Sequence, residues 1–195
     1  MSLYDYDRSV WWEEVDKALL ELLKNFHYVK NDKKRIKVPV LFFPLSMNTE
    51  KYEYPIVMIR HVNEEFDLER YSAYPVQVSV EGNVATYEDS ARPYTLNYQL
   101  DIITEKQRDL NYLTKQWSCL VPLRGTIPVV DVEGTVRNCF MSCKPPRMID
   151  YYAVRGEDRL LRTVIEFKVQ IELDMGTSFK RDIVSKNPTI EVNSK

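Results

Sequence analysis

Residues 94–102 alternate without a break. Tyr94, Leu96, Tyr98, Leu100 and Ile102 are apolar, while Thr95, Asn97, Gln99 and Asp101 between them are polar. A period of two is that of a strand with one buried face. The period then changes abruptly. Thr104-Glu105-Lys106-Gln107 has the form of a capping box, with Thr104 as the N-cap. Leu110, Leu113, Trp117 and Leu120 follow at helical spacing until Pro122. A long strand that feeds straight into an amphipathic helix needs the helix to fold back on its own sheet. That constrains the chain to an α+β layer more than any other feature does.

The rest of the sequence fits that frame. Trp11, Val15, Leu19, Leu22 and Phe26 mark one side of a first helix, with Ser9 as its N-cap and Glu13 and Glu14 in its first turn. Residues 30–35 read as a polar turn. Strands are expected over residues 37–43 and 54–62, the second beginning at a sheet edge because of Pro55. Residues 63–71 are charged and read as a loop. Residues 76–80 and 84–87 flank Glu81-Gly82-Asn83 as a hairpin. The last third reads as a β-meander: residues 127–132 and 135–142 about Glu133-Gly134, then 148–154 and 159–174 about residues 155–158. The expected fold is therefore α+β, a mostly antiparallel sheet flanked by two main helices. The expected domain spans residues 1–174.

Beyond residue 174 the pattern stops. Residues 175–195 carry isolated apolar side chains, Phe179, Ile183, Val184, Ile190 and Val192, in a polar and net positive stretch. Such a segment has no period with which to build its own core. It reads as an extended C-terminal arm that lies on a neighbouring subunit or partner, for instance against acidic residues 64–69 of another copy. The alternative is a disordered tail.

Chemistry is sparse. With 27 basic and 29 acidic residues the net charge is −2, which excludes a broadly basic nucleic-acid binder. Lys30, Lys33, Lys34, Arg35 and Lys37 nevertheless form a local cluster, interrupted only by Asp32. It reads as a solvated turn, as a patch for an acidic protein neighbour, or as a phosphate contact. Cys119, Cys139 and Cys143 are an odd count, read as reduced thiols. Cys139 and Cys143, four apart on a strand, would sit roughly 13 Å apart, too far for one metal ion. Adjacent acids Glu13/Glu14 and Glu64/Glu65 read as surface. Motifs of phosphate-binding loops, zinc proteases and serine hydrolases are absent from the sequence. No catalytic residue, cofactor or metal is expected. Residues 38–45, broken by two prolines, fall far short of a membrane span. With an acidic, aromatic first heptapeptide, the chain is expected in a cytoplasm-like environment. Thirteen tyrosines are a surplus that suits surfaces buried on association.

In element order the chain resembles the tail terminator, or tail completion, proteins of tailed bacteriophages, especially contractile ones. The resemblance covers roughly residues 8–174. It rests on the N-terminal amphipathic helix, on the strand and helix of Tyr98-Gln99-Leu100-Asp101-Ile102-Ile103-Thr104-Glu105-Lys106-Gln107-Arg108-Asp109-Leu110, and on a closing Arg162-Thr163-Val164-Ile165-Glu166-Phe167-Lys168-Val169. It implies a structural virion protein assembled in the host cytoplasm. The family forms a homohexameric ring that caps the finished tail tube and joins it to the neck. Tube, sheath or neck proteins would be its partners, and DNA would pass through the lumen without specific binding. The family has no catalytic residues to carry over, and the C-terminal arm goes beyond its compact pattern. Another neck or baseplate subunit, and a small enzyme or nucleic-acid-binding accessory protein, remain open as alternatives.

Overall fold

The computed structural model describes residues 11–29, 34–42, 53–121, 123–131, 134–152, 159–173 and 178–182. The elements run α1 (Trp12–Leu23), β1 (His27–Val29), β2 (Arg35–Lys37), β3 (Val40–Phe42), β4 (Ile56–Phe66), β5 (Val76–Glu81), β6 (Val84–Glu88) and β7 (Arg92–Thr104). Then come α2 (Gln107–Leu120), β8 (Arg124–Val130), β9 (Val136–Cys143), β10 (Arg147–Tyr152), β11 (Arg159–Leu173) and β12 (Ser178–Asp182). Strands β3-β4-β7-β11-β9-β8 form the main sheet in that order, with β10 also on β11. β1-β2 is a small ribbon, and β12-β6-β5 is a second, three-stranded sheet.

The α+β class is as expected, and the details are more mixed. β3 pairs with β4 in parallel, which makes the main sheet mixed. The last third is not a simple meander. β11 gives one edge to β7 along nearly its whole length, so β9 and β10 must share the other edge in succession. Pro145 and Pro146 stand between those two strands, where the missing N–H groups interrupt the ladder least.

Both helices pack on one face of the sheet. Val15, Leu19 and Leu23 of α1 and Leu110, Leu113 and Trp117 of α2 share one buried cluster with Leu100, Ile102, Ile165 and Phe167. Register explains why: Ile59, Leu100 and Ile165 are directly paired across three strands and so point the same way. Tyr98 stacks on Phe167 at 5.2 Å, and Trp117 closes on Phe167 at 5.5 Å. The opposite face holds a smaller apolar cluster of Ile56, Ile103 and Leu160 at one end. Its middle is polar, with Arg60 Nη2 donating to Gln99 at 2.7 Å and Arg162 Nη2 to Asp101 at 2.7 Å.

Several boundaries differ from the sequence reading. β4 lies between β3 and β7 rather than at an edge. Pro55, buried behind a cis Tyr54–Pro55 bond, precedes the first paired residue and owes the ladder no hydrogen bond. Asn63 to Phe66 continue that strand instead of looping away. A bulge at Val62 shifts the register, and the four residues then pair with β7. Thr104 ends β7, and the N-cap of α2 is Lys106. The Thr104 hydroxyl donates to the Lys106 carbonyl at 3.1 Å instead of capping the helix. Ser9 lies outside the described residues. α1 begins after Trp11, whose N–H donates to the Glu14 carboxylate at 3.1 Å.

Candidate interaction site

Three regions stand apart from the core. The first is the β5–β6 hairpin. Gly82, at φ +59°, supplies the left-handed residue of its turn. Every residue of β5 is exposed, including Val76, Val78 and Val80, each about half open to solvent. Tyr74, just before it, is 81% exposed. The hairpin is fixed at its base by an aromatic chain. Tyr71 meets Phe66 at 5.2 Å, Phe66 meets Tyr94 at 5.4 Å, and Tyr94 meets Trp11 at 5.4 Å. Arg70 braces the same corner, donating to Asp67 at 2.7 Å and to the Tyr94 carbonyl at 3.2 Å. The hydrogen bond from Arg70 holds the Asp67 carboxyl below its usual range.

The second region is the β1–β2 ribbon, whose second strand takes in Arg35 from the end of the expected 30–35 turn and Lys37 from the start of the expected 37–43 strand; residues 30–33 of that turn lie outside the described residues. His27 to Val29 pair with Arg35 to Lys37. Gln116 of α2 clamps the ribbon by accepting from the His27 N–H at 3.4 Å and donating to the His27 carbonyl. Tyr112 packs edge-on to His27 at 6.0 Å. Lys34, Arg35 and Lys37 are all exposed. Lys33 lies outside the described residues.

The third region is the start of the C-terminal segment. Ser178 to Asp182 pair antiparallel with Glu88 to Val84, setting Phe179 opposite Tyr87. For these residues the expected arm has a backbone partner in its own chain. Ile183, Val184, Ile190 and Val192 lie outside the described residues. Among the described residues, β12 takes one edge of the three-stranded sheet and β5 forms the other.

The polar groups of the described residues are spread over several sites. Cys139 and Cys143 are withdrawn from water, and burial pushes both thiols up to about 11, so they stay protonated. Cys119 is exposed on α2. Among the described residues no group of three His, Cys, Asp or Glu could hold a metal ion. An open groove of ≈ 830 Å³ on the polar sheet face is lined by Val62, Leu123, Arg124, Lys144, Glu166 and Lys168. Its one carboxylate, Glu166, is held low by Lys144 at 2.6 Å, with Arg147 at 3.9 Å. Beneath α1, Asp16 accepts from the Tyr98 hydroxyl at 2.8 Å. Burial raises that carboxyl above its ordinary value despite the bond. His61 stacks on Trp12 with its Nε2 3.7 Å from Glu64, beyond hydrogen-bond reach. This network joins the helix to the sheet.

No described helix is long and apolar enough to cross a membrane. Neither a family model nor a curated protein matches the sequence. Among solved structures the fold is similar to the sheath/tube terminator of PVC, an extracellular contractile injection system, captured in its extended state. The likeness has a TM-score of 0.50 and 13% sequence identity, and it covers 88% of this chain. The chain spans 59% of the length of that terminator. The fold is thus of the kind found in the sheath/tube terminator of a contractile injection system.

Proposed function

We propose that this protein is a structural component of a contractile tail, a terminator that forms a ring on the end of the tube and joins it to sheath or neck. The observation that carries the reading is the fold likeness to a sheath/tube terminator over 88% of the chain. The hexameric ring, the virion location and the tube, sheath or neck partners follow from the same reading. Its work is surface complementarity rather than catalysis. Exposed Tyr74, Leu68 and the β5 valines are the kind of apolar surface that association covers.

The test is direct. Full-length protein is measured by light scattering after size exclusion, then mixed with assembled tubes of a contractile-tail tube protein and viewed by electron microscopy. A ring-sized species that sits at tube ends is expected. A protein that stays monomeric and leaves tube ends bare would overturn the proposal.

A further inference from the structure

Resting on that assembly reading, we infer that neighbouring copies join head to tail by strand addition. The open edge of β5 on one copy takes the β1–β2 ribbon of the next, along β2.

Four observations converge on this contact. β5 is an end strand, exposed along its whole length and rich in β-branched residues, while β12 already occupies the other end of its sheet. An edge of that kind is a template for another strand. Among the described residues β2 is likewise an end strand, and the clamp of Gln116 on His27 presents it already formed. Less conformational freedom is then lost on association.

Charge selects the pairing. Between residues 63 and 89 every charged side chain but Arg70 is acidic. Arg70 is already engaged by Asp67 at 2.7 Å and lies 3.8 Å from Glu172. Between residues 30 and 37 every charged side chain but Asp32 is basic. A two-fold contact of β5 with β5 would bring two acidic hairpins together, with Glu81 on each edge strand and Glu88 one strand behind it, whereas β5 with β2 brings Arg35 and Lys37 beside that acidic hairpin. Geometry agrees, because a contact between two different surfaces propagates from copy to copy and closes a ring where the rotation between copies allows it, while a two-fold contact stops at a dimer.

The experiment uses the full chain. Reversing the basic strand (Arg35→Glu with Lys37→Glu) or the acidic hairpin (Glu81→Lys with Glu88→Lys) is expected to weaken self-association at least about tenfold. Joining all four changes in one chain is expected to restore it. As a second measurement, Val80→Cys and Ile36→Cys are placed together in a Cys119→Ser background and oxidised. A ladder of three or more linked copies is expected, which neither single cysteine gives. Dimers from Val80→Cys alone would overturn the contact in favour of a two-fold one. Oligomers that ignore both charge reversals and give no ladder would overturn it while leaving the assembly reading in place. A wild-type chain that neither associates nor binds tubes would remove both.

Discussion

β11 and β5 are written in the same style and end in opposite surroundings. In β11, Ile165, Phe167, Val169 and Ile171 alternate with polar residues and lie buried under two helices. In β5, Val76, Val78 and Val80 alternate with Gln77 and Ser79 and stay in water. Alternation therefore identifies a strand but says neither what covers its apolar residues nor that they share a face, since the bulge at Val78 sets Val76, opposite Glu88, and Val80, opposite Ala85, on opposite faces. For β11 the cover is local, because the chain leaves β7 directly into α2 and brings Trp117 onto Phe167. For β5 nothing in the described residues plays that part. Exposed valines on an edge strand, kept without an internal cover, suit an intermolecular contact.

The comparison is broken most forcefully from the buried side. Trp117 is 2% exposed and joins α2 to Phe167. Trp117→Ala is expected to cost about 3–5 kcal/mol, read as a fall in the urea midpoint at unchanged slope. A loss below about 1 kcal/mol would mean that α2 is not what seals the sheet.

Tyr98→Phe is the next largest. The hydroxyl donates to Asp16, and a hydrogen bond to a charged group contributes about 2 kcal/mol. Burial raises Asp16 above its ordinary value, so the folded state takes up its proton more readily than the unfolded chain. The stability linked to this carboxyl is complete below that ordinary value and is lost as pH rises through the folded value. The Tyr98 bond opposes that loss, because it favours the ionised form. The cost of Tyr98→Phe is thus expected to be full at neutral pH and to shrink in acid, once Asp16 is protonated. Equal costs at both pH values would show that the hydroxyl does not act through Asp16.

How far the molecule was legible follows from the same contrast. The long periodic pieces, residues 94–102 and 159–174 and both helix stripes, were readable because burial on one face writes a period into the sequence. Asn63 to Phe66 were hidden because the end of β4 projects into solvent and carries charge like a loop. The β1–β2 ribbon was hidden because three-residue strands are too short to show a period. Ser178 to Asp182 read as irregular because that strand is held by backbone pairing to β6, which leaves no trace in side-chain type. Of the residues singled out for interaction, Lys34 and Arg35 fall on an exposed ribbon and Phe179 on a strand in its own chain. The edge of β5 was not singled out, although its valine alternation and the long acidic run around it were both visible.

Thr104 marks the joint between strand and helix, where the sequence motif and the geometry part. The hydroxyl is buried and bonds to the Lys106 carbonyl, which holds the turn into α2 without capping it. Thr104→Val keeps the shape and removes the bond. It is expected to cost about 1 kcal/mol by urea unfolding, with helix content by circular dichroism unchanged. A drop in helix content would restore the capping role to this residue.

The smallest expected effect is the sharpest for the comparison. Val78 sits at the β5 bulge, between the paired positions Gln77 and Ser79, and is 48% exposed. Val78→Thr keeps the β-branch and the strand preference while making the exposed edge strand more polar. In the isolated subunit it is expected to shift stability by less than about 0.5 kcal/mol, because the side chain has little burial to lose. The same change in Val169 of β11, which is fully buried, places an extra hydroxyl in the core and is expected to cost well over about 1 kcal/mol. If Val78→Thr destabilised the lone subunit as much as Val169→Thr, β5 would have an internal cover and would lose its claim as a contact edge. If it left the subunit unchanged while lowering self-association, β5 would be placed at the contact between copies, where the open strand edge and the charge pattern already point.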